Sequence, residues 1–341
     1  MKLLSAAPLY FGRYPTKKVI SRVGRTFDPV LGLLGKNGLV TRGIARELIS
    51  LDSQSKIKTT SEYARLFRAG QGTVQKAFRT LEDLEAIDLE SRGHLGTFLI
   101  SKNLSRLWSV SGLGTVTGVM PLPDSREFEG IATALTDIFS SEDIPLNLLH
   151  LNGSRRRIEH LKLERADFVV LSRFSADQAC VENSSLETML ICAPNSYYAR
   201  NSLTVLTRVE VADRWEGVRR VGIDETSWDH AKITRLEFGS SPVEFVQTPY
   251  HLIPDLIIKG KIEAAVWHRT TRRVEAMSVA LHFLPLQNGT TQQVADNVSR
   301  LALVAPRSNE TVRSLFSQTV DPHRIVRVQN EVIEGTRIPL F

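Results

Sequence analysis

Five side chains able to read a double helix stand on one short stretch of the chain: Gln71, Thr73, Gln75, Lys76 and Arg79. A glutamine amide suits adenine N6 and N7, lysine and arginine suit phosphate or guanine, and a threonine hydroxyl suits phosphate. Among them Val74, Ala77, Phe78 and Leu81 fall at i, i+3, i+4 and i+7, so the spacing predicts a helix with one apolar face and one polar face free of acids. Arg92 and His94 follow in a glycine-containing stretch between β-like runs at 87–90 and 97–100, where they fit wing contacts to the backbone or minor groove.

This chemistry is non-covalent. The sequence holds no G-x-S-x-G elbow, H-E-x-x-H pair, P-loop or C-x-x-C pair. The stretch from Gly112 to Gly118 misses G-x-G-x-x-G by one residue and precedes a strand instead of following one. The eight histidines show no pair at metal-ligand spacing. No catalytic residue, metal or cofactor is expected. Two alternatives stay open: an enzyme acting on a bound metabolite through Asp224, Glu225 or His268, and a DNA-binding adaptor without a ligand.

The elements that position the candidate readers are three helices and a hairpin. Ile44, Ala45, Leu48 and Ile49 predict a first helix from Thr41; Thr60 or Ser61 is expected to cap a second, with Tyr63, Ala64 and Phe67 inward. The turn Arg68-Ala69-Gly70 leads to the third. Charge agrees with this placement, because residues 1–103 carry 17 bases and 9 acids, a balance of +8, against 26 and 28 in residues 104–341, a balance of −2. A helix-turn-helix used for protein contacts, with a merely solvated basic face, is the competing reading.

The run Ile57-Lys58-Thr59-Thr60-Ser61-Glu62-Tyr63-Ala64-Arg65-Leu66-Phe67, the run from Gly70 to Ala77, and the wing ending Gly96-Thr97-Phe98 resemble the winged helix of GntR-type bacterial repressors. The wing from Glu90 to Phe98 and the large C-terminal part resemble the YhfZ-like regulators of that group. Ser61, Gln71 and Gln75 stand where GntR-type proteins usually carry DNA-gripping arginines, and Gly70 where they usually have a capping serine, so base preference does not carry over.

Residues 104–341 alternate strands and helices, which implies parallel sheets with helices on their faces. Strands are expected near 116–120, 145–151, 167–171, 218–223, 243–246, 264–267, 281–286, 299–305 and 324–328. Helices are expected from Asp124 or Ser125, near 155–163, from Thr226, and at 252–259 and 309–320. The YhfZ-like resemblance implies a two-lobed, type 2 periplasmic-binding-protein-like fold. The expected architecture is thus an α+β winged helix followed by an α/β two-lobed domain. It divides into a basic arm (1–37), the winged helix (38–103), a linker (104–113), lobe one (114–196 and 290–341) and lobe two (197–289). The arm is open to three readings: a solvated tail, contact with the DNA backbone, or packing in a dimer.

In open α/β sheets a ligand sits at the carboxyl ends of the strands. That rule selects Asp124, Ser125, Asn152, Gly153, Ser154, Arg155, Ser172 and Arg173 from lobe one, and Asp224, Thr226, Ser227, Trp267, His268 and Arg269 from lobe two. Arg155, Arg173 and Arg269 suggest an anionic metabolite, although Arg155-Arg156-Arg157 also reads as a solvated helix start and Trp267 as core. The expected partners are an operator in double-stranded DNA, a small effector and a second copy of the chain. A cytoplasmic setting without a membrane anchor is expected, because no apolar run approaches the roughly 20 residues that span a bilayer and Cys180 and Cys192 are the only cysteines.

Overall fold

The computed structural model describes residues 34–208, 215–270 and 281–341. Most of the expected arm, residues 1–33, lies outside them. Helix α1 (Lys36–Ile49) starts before Thr41 and buries Val40, Ile44, Ala45, Leu48 and Ile49. After a short strand, β1 (Ser55–Lys56), comes α2 (Thr60–Leu66), capped by Thr59 and not by Thr60 or Ser61. The reason is Glu62: its backbone N donates to the Thr59 hydroxyl at 3.3 Å, while its carboxylate accepts from Thr59 N at 2.7 Å. Such a reciprocal pair needs an acid three residues after the cap, which only Thr59 has.

Helix α3 (Gln71–Asp83) buries Val74, Ala77, Phe78 and Leu81. Strands β2 (Ile87–Ser91) and β3 (Thr97–Lys102) then form the hairpin, with β1 on the other edge of β3 in an antiparallel sheet. The tip is a single 3-10 turn over Gly93–Leu95.

Residues 104–113, expected as a linker, hold a helix instead: α4 (Leu104–Ser111), capped by Asn103 and closed by Gly112 at φ 63°. Leu104, Leu107, Trp108 and Ser111 fall at i, i+3, i+4 and i+7, and Leu107 and Trp108 are buried. Arg46 donates to the Ser111 carbonyl at 2.9 Å and Arg42 to that of Gly112 at 3.1 Å, which fastens the helix end to α1.

Lobe one begins with β4 (Val116–Met120), α5 (Arg126–Ser141), β5 (Leu146–His150), α6 (Ser154–Lys162), β6 (Phe168–Ser172), α7 (Arg173–Glu182) and β7 (Leu186–Ile191). The chain crosses to lobe two for β8 (Leu203–Thr207), β9 (Arg220–Ile223), α8 (Trp228–Phe238), β10 (Glu244–Gln247), α9 (Ile253–Ile258), β11 (Ala264–His268) and β12 (His282–Pro285). It returns through α10 (Gly289–Ser299) to β13 (Leu301–Pro306), α11 (Glu310–Thr319) and α12 (Pro322–Ile333). The sheets run β5-β4-β6-β13-β7 and β10-β9-β11-β8-β12. In each, three parallel strands are followed by one antiparallel strand that arrives from the other lobe. This returning-strand order is the type 2 periplasmic-binding-protein-like architecture.

The β-like run expected at 324–328 lies inside α12. Asp321 caps that helix, Pro322 occupies its first turn, and Ile325, Val328 and Val332 share its buried face. Strand β8 and helices α7 and α10 were not expected; α7 places Ser172 and Arg173 at a helix start where a loop was expected.

One hydrophobic core runs from the winged helix into lobe one without a break. Its polar clasp is the end of α1. The Ile49 carbonyl accepts from Lys102 Nζ at 2.8 Å and from Gln318 Nε2 at 3.0 Å, while Lys102 also donates to the Leu48 and Leu51 carbonyls. Lys102→Met leaves these carbonyls short of a donor and should cost about 1–3 kcal/mol of unfolding free energy in urea titrations.

Candidate functional site

On the winged helix, Gln71, Gln75, Lys76 and Arg79 are all exposed on α3, and Thr73 is half-buried near its start. Gln71 Nε2 donates to the Ser61 hydroxyl at 3.2 Å, tying this exposed face to α2. Lys76 and Arg79 have no acidic partner among the described residues, so the face carries uncompensated positive charge. In the wing, Arg92 lies over the Phe98 ring, 4.5 Å from its centroid, and pairs with Glu90 at 2.6 Å. His94 is exposed in the tip turn. A phosphate approaching Arg92 must therefore compete with Glu90.

The second site lies between the lobes, where a cavity of about 50 Å³ opens at the carboxyl ends of the parallel strands. Five sequence-predicted residues line it: Asp124, Asn152, Gly153, Asp224 and Ser227. The remainder are placed elsewhere. Ser125, Ser172 and Ser227 are helix N-caps, the last also reaching the cavity. Thr226 covers Asp224, donating to its Oδ1 from both backbone N (2.9 Å) and hydroxyl (2.6 Å).

The arginines expected to hold an anion do not reach the cavity. Arg155 is exposed, pairs with Glu182 at 3.1 Å and lies 4.4 Å over the Trp228 ring. Arg173 stands beside Asp177 at 3.8 Å on its own helix, and Arg269 is exposed in a different groove. Trp267 is core, stacked on Tyr250 with centroids 4.4 Å apart. His268 is 1% exposed and does not line the cavity: Thr270 Oγ1 lies 2.7 Å from its Nε2 and donates to Glu127 Oε2 at 2.8 Å. Burial opposes charge on Glu127, but hydrogen bonds and the nearby His268 hold its carboxyl below the usual range.

These contacts close the cleft. Trp228 N donates to the Ser154 hydroxyl at 3.0 Å, and Arg155 N donates to the Thr226 carbonyl at 2.9 Å. At the centre, Asp229 of lobe two is buried, and its Oδ1 accepts from the Ser172 and Ser175 hydroxyls of lobe one at 2.6 and 2.9 Å. Burial pushes the Asp229 carboxyl up to about 6, outweighing these hydrogen bonds and the nearby Arg157. Burial likewise lowers the proton affinity of His230, whose Nε2 lies 3.0 Å from the Val266 carbonyl.

Sequence reasoning missed Arg157, Tyr197, Tyr198, Asp229, His230 and Tyr250, all of which line the cavity. A signal existed for Arg157: Ser154, Arg157, Ile158 and Leu161 follow i, i+3, i+4 and i+7, so the third arginine faces inward while its neighbours face water. Its guanidinium donates to the Val170 and Leu151 carbonyls and the Tyr197 hydroxyl at 2.9–3.1 Å. Tyr197 and Tyr198 follow β7 on a turn without periodicity, and Tyr250 opens a single 3-10 turn between β10 and α9.

A winged helix-turn-helix fused to a two-lobed, solute-binding-protein-like domain with a cleft at its strand ends defines the class of molecule. Residues 54–99 match a helix-turn-helix domain, and residues 103–341 match the YhfZ C-terminal domain. The chain belongs to the YhfZ family. It is 30% identical over 307 residues to YhfZ of Escherichia coli (strain K12), covering 90% of this chain and 98% of that protein. It is similar to the crystal structure of YhfZ from Shigella flexneri, with 27% identity and a TM-score of 0.55 over 70% of this chain and 97% of that one. The periplasmic aliphatic sulphonate binding protein SsuA from Escherichia coli aligns at 10% identity and a TM-score of 0.49, over 65% and 75% of the two chains.

Two measurements check the closed geometry. The folded protein keeps the Asp229 proton up to about pH 6, whereas an unfolded aspartate loses it near 3.9, so the folded state binds more protons between these values. The Asp229 contribution to stability is therefore full below about pH 4 and lost as pH rises through about 6; Asp229→Asn should flatten that part of the melting-temperature profile. Gly153 has φ +85°, and a Cβ there would stand 2.4 Å from the Thr226 hydroxyl across the interface. Gly153→Ala should cost about 1–3 kcal/mol and raise the radius of gyration in solution scattering as the lobes part.

Proposed function

We propose that the chain is a cytoplasmic, non-enzymatic transcription regulator that binds operator DNA as a homodimer through its winged helix and is controlled by a small molecule held between its lobes. The observation that carries this reading is the exposed α3 face, where Gln71, Gln75, Lys76 and Arg79 stand together without an acid. The GntR-type likeness of the residues around it supports the same direction. In this reading Gln71 and Gln75 face base edges, Thr73, Lys76 and Arg79 meet phosphate or guanine, and Arg92 and His94 guide the wing.

Asp124, Asn152, Gly153, Asp224 and Ser227 are proposed to meet the effector, together with Arg157, Asp229 and the cavity tyrosines. A cavity of about 50 Å³ admits only a small group while the lobes are closed, so binding and release require them to part. The winged helix shares a core with lobe one, so effector-driven motion changes lobe two relative to both. In a dimer reading half-sites about 34 Å apart, that motion alters the spacing of the two heads and hence the affinity for DNA.

The test is a titration of genomic duplex fragments at several salt concentrations. Affinity should fall steeply and log-linearly with salt; a flat response would overturn the reading. Lys76→Ala should weaken binding to every fragment similarly and lower the salt slope by about 1, whereas Gln75→Ala should relax sequence preference.

A further inference from the structure

Each lobe supplies the other with an aromatic side chain. Trp228, the first residue of α8 in lobe two, is buried in an apolar cluster whose other buried members, among the described residues, all belong to lobe one. Ile158 and Leu161 of α6 and Ala176 and Ala179 of α7 are among them. In return, Phe174 of α7 packs against both that cluster and the core of lobe two.

The seat of Trp228 is polar at its rim. The indole Nε1 donates to Glu182 Oε1 at 3.0 Å, the Arg155 guanidinium lies 4.4 Å over the ring, and Arg155 and Glu182 pair with each other at 3.1 Å. Indole, guanidinium and carboxylate thus form a closed triangle, with two corners from lobe one and one from lobe two. The backbone follows the ring: Trp228 N donates to the Ser154 hydroxyl, and Arg155 N to the Thr226 carbonyl.

This arrangement is suited to opening and closing. The Arg155 and Glu182 side chains are 47% and 49% exposed, so both regain water at little cost when the indole leaves, and salt screens the attraction between them. The indole has no such exchange, because outside its seat its apolar surface meets water, and that drives it back. The same turn of α8 also reaches the cavity, which Ser227, Asp229 and His230 line. Helix α8 starts at Trp228, so the seat and that side of the cavity are parts of one rigid helix start.

We propose that Trp228 is the latch of the cleft: it holds the lobes together from inside lobe one, and its departure from the rim of Arg155 and Glu182 is the step that opens the cavity. This rests on the regulator reading for the purpose of the opening and not for its geometry.

The test is hydrogen exchange of the full chain, followed residue by residue by NMR, because the amide hydrogens of Trp228 and Arg155 are bonded across the lobes. Both should exchange together, at least about tenfold faster than the amides of the lobe-one sheet. Glu182→Gln and Arg155→Met should each speed the Trp228 amide about two- to fivefold, the effect of losing one exposed cation–π contact or ion pair, and leave the sheet amides unchanged. Raising sodium chloride from about 0.05 to about 0.5 M should speed the same amide in the intact chain and not in Glu182→Gln. Trp228→Ala should raise the radius of gyration in solution scattering. If that variant fails to fold, the two rim variants, which alter only half-exposed groups, decide alone. Exchange of the Trp228 amide at the rate of the sheet amides, or a rate unchanged in both rim variants, overturns the proposal. Titration of duplex fragments with the same preparations separates the two readings: exchange as expected without DNA binding sinks only the regulator, and DNA binding with unchanged exchange sinks only the latch.

Discussion

The last carbonyls of a helix have no partner within it, and when they are buried something else must donate to them. In this chain the end of α1 meets that requirement with groups from far along the sequence. Lys102 at the end of the wing supplies an ammonium to three carbonyls, and Gln318 on α11 reaches the same Ile49 oxygen. Arg42 and Arg46 on α1 return the favour at the end of α4. These bonds sit over an unbroken apolar core, so the winged helix and lobe one form one body. None of the strands and helices of lobe two contributes to that core.

Polar groups bridge the interface between the lobes, beside the apolar contacts of Trp228 and Phe174. Asp229 is buried whether or not it is ionised, and two serine hydroxyls offset the loss of water only while lobe one is in place. Ser154 and Thr226 accept from backbone N–H groups of the opposite lobe in the same way. Contacts of this kind exchange readily for water, unlike the apolar seam beneath the winged helix. The molecule thus has one joint that is costly to open and one that is cheap.

Legibility of the sequence followed periodicity. The α3 stripe Val74, Ala77, Phe78 and Leu81 marks both the buried and the exposed face, and the strand-end rule reached the cavity-lining Asp124, Asn152, Gly153, Asp224 and Ser227. Gly112 and Gly114 give the stretch the look of a linker, although Leu104, Leu107, Trp108 and Ser111 carry a helical stripe. In α12 the branched residues Ile325, Val326 and Val328 imitated a strand, and the Asp321-Pro322 start outweighed them. Arg155 and Arg157 show the limit of residue type as a guide. Both are arginines at one helix start, yet one lies in water against Trp228 and the other braces the cavity wall. Asp229 offered no local sign, because its burial depends on a second lobe that pattern alone cannot bring near.

Lobe two is an insertion: the chain leaves after β7 and comes back before β13. Two tethers side by side define a single axis, as two hinges do for a door. In the proposed reading, metabolites of different shape would all be reported as one angle, and the head at the far end of lobe one would sense how far the door is shut and nothing else about what shut it.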